Sequence, residues 1–123
     1  MLLNLSNHPS TKWGDKQQQT AINNYGNIQD MLFPNVPPAA TSEEIKVLAN
    51  GYVTQIRALA KAEGNQPFAV HIMGEMTLIF RIITSLKRSK IVCVASTSER
   101  NTVEHEDGTK TILFEFIQFR TYV

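Results

Sequence analysis

Three short polar clusters, each following an apolar run, hold the side chains of this sequence best suited to chemistry. Ser6-Asn7-His8-Pro9-Ser10 follows Leu2–Leu5 and offers two hydroxyls, an amide and an imidazole, with Lys12 just beyond. Histidine exchanges protons near neutral pH, which makes His8 a candidate acid or base. Met73-Gly74-Glu75 follows Phe68–Ile72. Its glycine suits a sharp turn or a close approach of backbone to ligand, and Glu75 is expected in the first turn of the next helix. Ser96-Thr97-Ser98-Glu99-Arg100 follows Ile91–Ala95. Hydroxyls and turn amides beside an arginine fork match the oxygens of a phosphate.

These residue types point to an anionic ligand. Ser6, Asn7, Ser10 and Lys12 are the candidate ligand contacts of the first cluster, Met73 and Gly74 of the second, and Ser96, Thr97 and Ser98 of the third. His8, Glu75 and Arg100 are the candidate catalytic groups. Turn and cap hydrogen bonds compete with function for each serine and asparagine, and Glu75 suits the positive end of a helix whatever else it does. His71 lies inside an apolar run and reads as a satisfied core histidine, while His105 near a turn reads as solvated. Neither a Walker A loop nor a full dinucleotide fingerprint is present, so ATPase and NAD-dependent readings lose their usual support.

The elements that must position these clusters follow from periodicity. Leu2–Leu5, Ile28–Phe33, Phe68–Ile72 and Ile91–Ala95 read as short strands, the first and third of them buried. Ser10 or Thr11 is expected to cap a helix with Trp13, Gln17, Ala21 and Tyr25 near one face, ended by Gly26. Thr41-Ser42-Glu43-Glu44 is a capping-box pattern before the helical stripe Ile45, Leu48, Ala49, Tyr52, Val53, Ile56 and Leu59. Met76, Ile79, Phe80, Ile83 and Leu86 mark a third helix. Thr102–Glu106 and Thr109–Phe119 flank Asp107-Gly108, a two-residue hairpin signal. Strands alternating with helices predict an α/β fold, a three-layer Rossmann-like domain with a mainly parallel sheet and a C-terminal antiparallel β-hairpin. In such sheets ligands lie at the carboxyl ends of the strands, where the three clusters gather.

With 123 residues, the chain fits one domain, 1–123. Twelve basic residues against 11 acidic ones give a formal charge of +1, which argues against a protein that coats duplex nucleic acid. The single cysteine, Cys93, excludes an internal disulfide and reads as a small buried hydrophobe. No apolar run reaches membrane-spanning length and no signal-peptide core is visible, so the expected location is cytoplasmic, with no membrane partner. No metal and no cofactor are expected.

The topology and two of the clusters resemble the CARF (CRISPR-associated Rossmann fold) group and its small single-domain relatives. The resemblance rests on polar residues after the first strand, here Ser6-Asn7-His8, and on hydroxyls with a basic residue after the fourth, here Ser96-Thr97-Ser98-Glu99-Arg100. It implies a cyclic oligoadenylate ligand, a homodimer and a role in antiviral signalling, with metal-independent ring-nuclease cleavage by attack of a ribose 2′-hydroxyl on the adjacent phosphodiester. Arg100 and Lys12 then meet the phosphate, while His8 or Glu75 moves a proton. The absence of an attached effector domain favours a stand-alone messenger-degrading or messenger-binding protein. Two alternatives stand beside it: a non-catalytic nucleotide sponge or sensor, and a nucleoside-processing enzyme using Glu75.

Overall fold

A computed structural model describes all 123 residues, in the order β1 (Leu2–Ser6), a 3₁₀ turn (Ser10–Lys12), α1 (Asp15–Tyr25), β2 (Ile28–Leu32), α2 (Ser42–Glu63), β3 (Ala69–Met73), α3 (Met76–Arg88), β4 (Val92–Glu104) and β5 (Lys110–Thr121). The five strands form one sheet in the order β2-β1-β3-β4-β5. The first four run parallel, and β5 pairs antiparallel with β4. This is the expected α/β fold. The strand order reverses between β1 and β3, which places the switch-point crevice at their carboxyl ends.

Apolar runs become central strands because both faces are covered. Every residue of β1 is buried. Leu3, Leu5, Val70, Ile72 and Cys93 pack against α2 and α3 through Ile45, Ala49, Val53, Ile56, Leu78, Ile82 and Leu86. On the opposite face Leu2, Ala69 and Val94 pack with Trp13 and Ala21, under α1. The Thr41 box forms as expected: its hydroxyl accepts from Glu44 N at 3.2 Å, and the Glu44 carboxylate accepts from Thr41 N. Gly64, with φ +62°, closes α2 in a conformation that a Cβ disfavours.

The structure corrects three expectations. The first helix begins at Asp15 behind Gly14, not at Ser10 or Thr11, so Lys12 sits in the preceding 3₁₀ turn and Trp13 lies between the two. Ser96–Arg100 is not a loop: β4 continues unbroken from Val92 to Glu104, and the hairpin begins in the fourth strand itself. The cluster's hydroxyls suggested a turn, but ladder bonds to β5 outweigh that local preference, and the mismatch is absorbed by a bulge between Thr97 and Ser98. The hairpin turn spans His105–Thr109 rather than two residues, closed by His105 N donating to Thr109 O at 2.8 Å. Gly108 supplies its positive φ of +86°.

Candidate functional site

Along β1 and β3 the side chains alternate between faces. Leu3 and Leu5 go to the α2/α3 side, so Asn4 and Ser6 go to the α1 side, where His71 of β3 stands level with Asn4. Asn4, Ser6 and His71 are the buried polar residues of the protein. Buried polar groups need partners, and here they find each other across the sheet.

Asn4 Nδ2 donates to Asp30 Oδ1 at 2.9 Å and to the His8 carbonyl at 2.8 Å. Both neighbours are acceptors, which fixes the amide orientation and turns Oδ1 toward His71. His71 Nδ1 lies 2.8 Å from that oxygen, which also accepts from Ser6 Oγ. Because Asn4 Oδ1 can only accept, His71 carries its proton on Nδ1 and Nε2 is an acceptor. Ser96 Oγ lies 3.2 Å from Nε2 and at the same distance from Met73 Sδ. Nε2 has no proton to give, so the serine proton belongs on the His71 bond, and the sulfur is a soft neighbour. Asp30, Asn4, His71 and Ser96 thus form one directed chain across β2, β1, β3 and β4.

Burial pushes the His71 imidazole down to about 4 from an ordinary 6.5, and the nearby charge of His8 adds to the shift. At neutral pH it is a neutral base. Trp13 stands edge-on to its ring at 5.2 Å, and Phe119 does so from β5 at 5.6 Å. These aromatics restrict both the water and the rotamers available to the imidazole.

A groove of about 730 Å³ opens beside this chain, between the 3₁₀ turn, the start of α1 and the hairpin. His8, Lys12, Lys16, His71, Ser96 and Phe116 are among its lining residues. The first turn of α1 also faces it, and Gly14 brings no side-chain cap to that turn. Its unpaired N–H groups favour an anion, although Asp15 opposes one. Two smaller depressions, of about 450 and 290 Å³, lie along the α2/α3 side and beside Phe33; neither includes His71. No three His, Cys, Asp or Glu side chains converge as a metal-ligand set.

The structure brings together much of what the sequence singled out. His8, Lys12, Met73, Ser96, Thr97 and Ser98 line the groove. Ser6 is buried beneath it. Ser10 Oγ donates to Asp30 Oδ2 at 3.0 Å, which braces the far end of the chain. Asn7 and Glu75 lie apart, in the depression beside Phe33. Glu75 is the N-cap of α3, accepting from Leu78 N at 2.8 Å and from the Thr77 hydroxyl and amide. Those bonds, the Thr77 hydroxyl first, hold its carboxyl below the usual range. Gly74 is required by packing: a Cβ there would fall within 2.7 Å of Phe33 ring carbons. Arg100, exposed on the hairpin, pairs opposite Phe114 and lies outward of the groove lining.

The chain matches the uncharacterized protein MJ1673 family over residues 1–120. It belongs to that family. No curated protein and no solved structure matches it. The MJ1673 match spans the whole hydrogen-bonded chain from Asn4 to Ser96.

The residues of this family member that sequence reasoning missed are His71, as a groove residue, and its supports Asn4 and Asp30. A signal was present. Asn4 interrupts Leu2-Leu3-Asn4-Leu5, and His71 interrupts Val70-His71-Ile72. Two polar interruptions in apolar strands, level with each other in the sheet, have few partners other than each other.

Proposed function

We propose that this protein binds a cyclic oligoadenylate in the groove beside His71 and cleaves it without a metal, as a cytoplasmic component of antiviral signalling. One observation carries the reading: a neutral imidazole, fixed by Asn4 and buried beneath the groove wall, accepts from the Ser96 hydroxyl, in a groove lined also by His8, Lys12, Lys16, Asp15 and Glu115. A ribose 2′-hydroxyl entering beside Ser96 gives its proton to the serine hydroxyl as the serine passes its own to His71 Nε2. The 2′-oxygen bonds to the adjacent phosphorus as the P–O5′ bond breaks. His8, exposed on the same groove, protonates the departing 5′-oxygen, leaving a cyclic 2′,3′-phosphate. Lys12 and Lys16 hold the phosphates of the bound ring, and Phe114 and Phe116 give faces on which adenines stack.

A homodimer belongs to this reading. The hairpin exposes Ile112, Leu113, Phe114 and Ile117, and two equal subunits suit a ligand with a twofold axis. Incubation with cyclic tetra- and hexa-adenylate in excess chelator, followed by chromatography, tests the proposal. Linear products ending in cyclic phosphate support it. Retention of intact ligand favours a sponge instead. Indifference to both rings overturns the reading.

A further inference from the structure

We propose that Ser96 is itself a nucleophile, giving this protein a serine-esterase activity toward small uncharged carboxylic esters. The proposal does not depend on the oligonucleotide reading. A hydroxyl becomes nucleophilic when an adjacent base takes its proton and a third group orients that base. Here Ser96 Oγ is 3.2 Å from His71 Nε2, and His71 Nδ1 is 2.8 Å from Asn4 Oδ1. Asp30 holds the Asn4 amide from behind at 2.9 Å. Asn4 and Asp30 are positioning residues; Ser96 and His71 are the reacting pair. The hydroxyl is half-buried at the groove wall, so an electrophile reaches it. Lys12 and Lys16 share the groove lining with Asp15 and Glu115, so its charge is balanced and an uncharged ester suits it, and the uncapped start of α1 offers N–H groups to a developing oxyanion.

In the acylation step Ser96 Oγ bonds to the carbonyl carbon and its proton passes to His71 Nε2. The carbon–oxygen bond of the leaving alcohol then breaks, and that oxygen takes the proton from His71. Water hydrolyses the acyl-serine with the same histidine as base, restoring the free hydroxyl and releasing the acid.

An alkyl fluorophosphonate is the probe: Ser96 Oγ attacks phosphorus, fluoride departs and the proton goes to His71. Treatment of the wild-type protein followed by peptide mass mapping should place one adduct on Ser96. His71→Gln should slow that labelling by about 10²–10⁴-fold, read on protein whose circular-dichroism spectrum matches the parent. The pH profile on the wild-type protein serves even if that variant does not fold. The groups facing the pair are His8, Lys12, Asp15, Lys16 and Glu115 on the groove and Asp30 through Asn4. Labelling that is already maximal at pH 7 supports a serine served by a neutral base. Labelling that climbs steadily to pH 10, an adduct elsewhere, or an equal rate in a folded His71→Gln protein overturns the proposal. Loss of oligoadenylate cleavage with Ser96 labelling intact would fault only the earlier reading.

Discussion

Replacing the His71 imidazole with an amide should separate holding a ligand from transforming it. In His71→Gln, turnover of a cyclic oligoadenylate should fall by about 10²–10⁴-fold, while calorimetric affinity stays within a few-fold. Lys12→Ala should do the reverse. A hydrogen bond to a charged phosphate contributes roughly 1.5–3 kcal/mol, so affinity should drop about 10- to 150-fold, with single-turnover rates little changed at saturation. His71 also ties stability to pH. Its folded value of about 4 lies below the ordinary 6.5, so the unfolded chain binds the proton first as pH falls. Stability is therefore full above pH 6.5 and declines between 6.5 and 4, by up to about 3 kcal/mol from this group. Denaturant titrations at pH 7 and pH 4.5 check both sign and size. Gly74→Ala should lower stability by about 1–3 kcal/mol through its collision with the Phe33 ring. Sequence reading of this glycine pointed to a ligand because the neighbour, 41 positions earlier, is invisible in one dimension.

Among the elements, α2 was legible to the residue because each local signal agreed with the tertiary outcome: box, apolar stripe, glycine stop and following proline. Thr41→Ala should cost α2 about 1 kcal/mol, read as a fall in thermal midpoint without loss of fold. The three helices and the parallel strands were also readable. The α1 start and the run of β4 were not. Ser10 and Thr11 are acceptable caps, but Trp13 is drawn under the sheet beside Val94 and His71, which delays the helix to Asp15. In β4 the polar stretch joins a ladder whose partner is rich in phenylalanine, so pairing decides what composition does not. The bulge has its own trace in the sequence. Phe114 and Phe116 keep strand alternation, Phe119 breaks it, and the break is where Ile117 is skipped in the register. Phe116 and Phe119 consequently stand 4.9 Å apart on the groove side.

For the whole molecule, the parallel body and the projecting hairpin obey different rules. The body has helices on both faces; the outer half of the hairpin is exposed on both, and two strands alone are marginal in water. A second copy placed against the hairpin relieves that exposure, so light scattering should give twice the 13.8 kDa chain mass. The double variant Ile112→Glu/Leu113→Glu, which charges both faces, should give a single chain mass with the body still folded. A monomer at every usable concentration of the parent would remove the dimer from the functional reading. The buried Cys93 opens a route to measuring this geometry. Burial pushes its thiol up to about 11, so at neutral pH it is shielded from maleimides and spin-label reagents. A cysteine introduced at the exposed turn residue Glu106 would then be the one reactive thiol in each chain. Paired spin labels there would act as a ruler between two hairpin ends, reporting whether a ligand draws them together or leaves them apart.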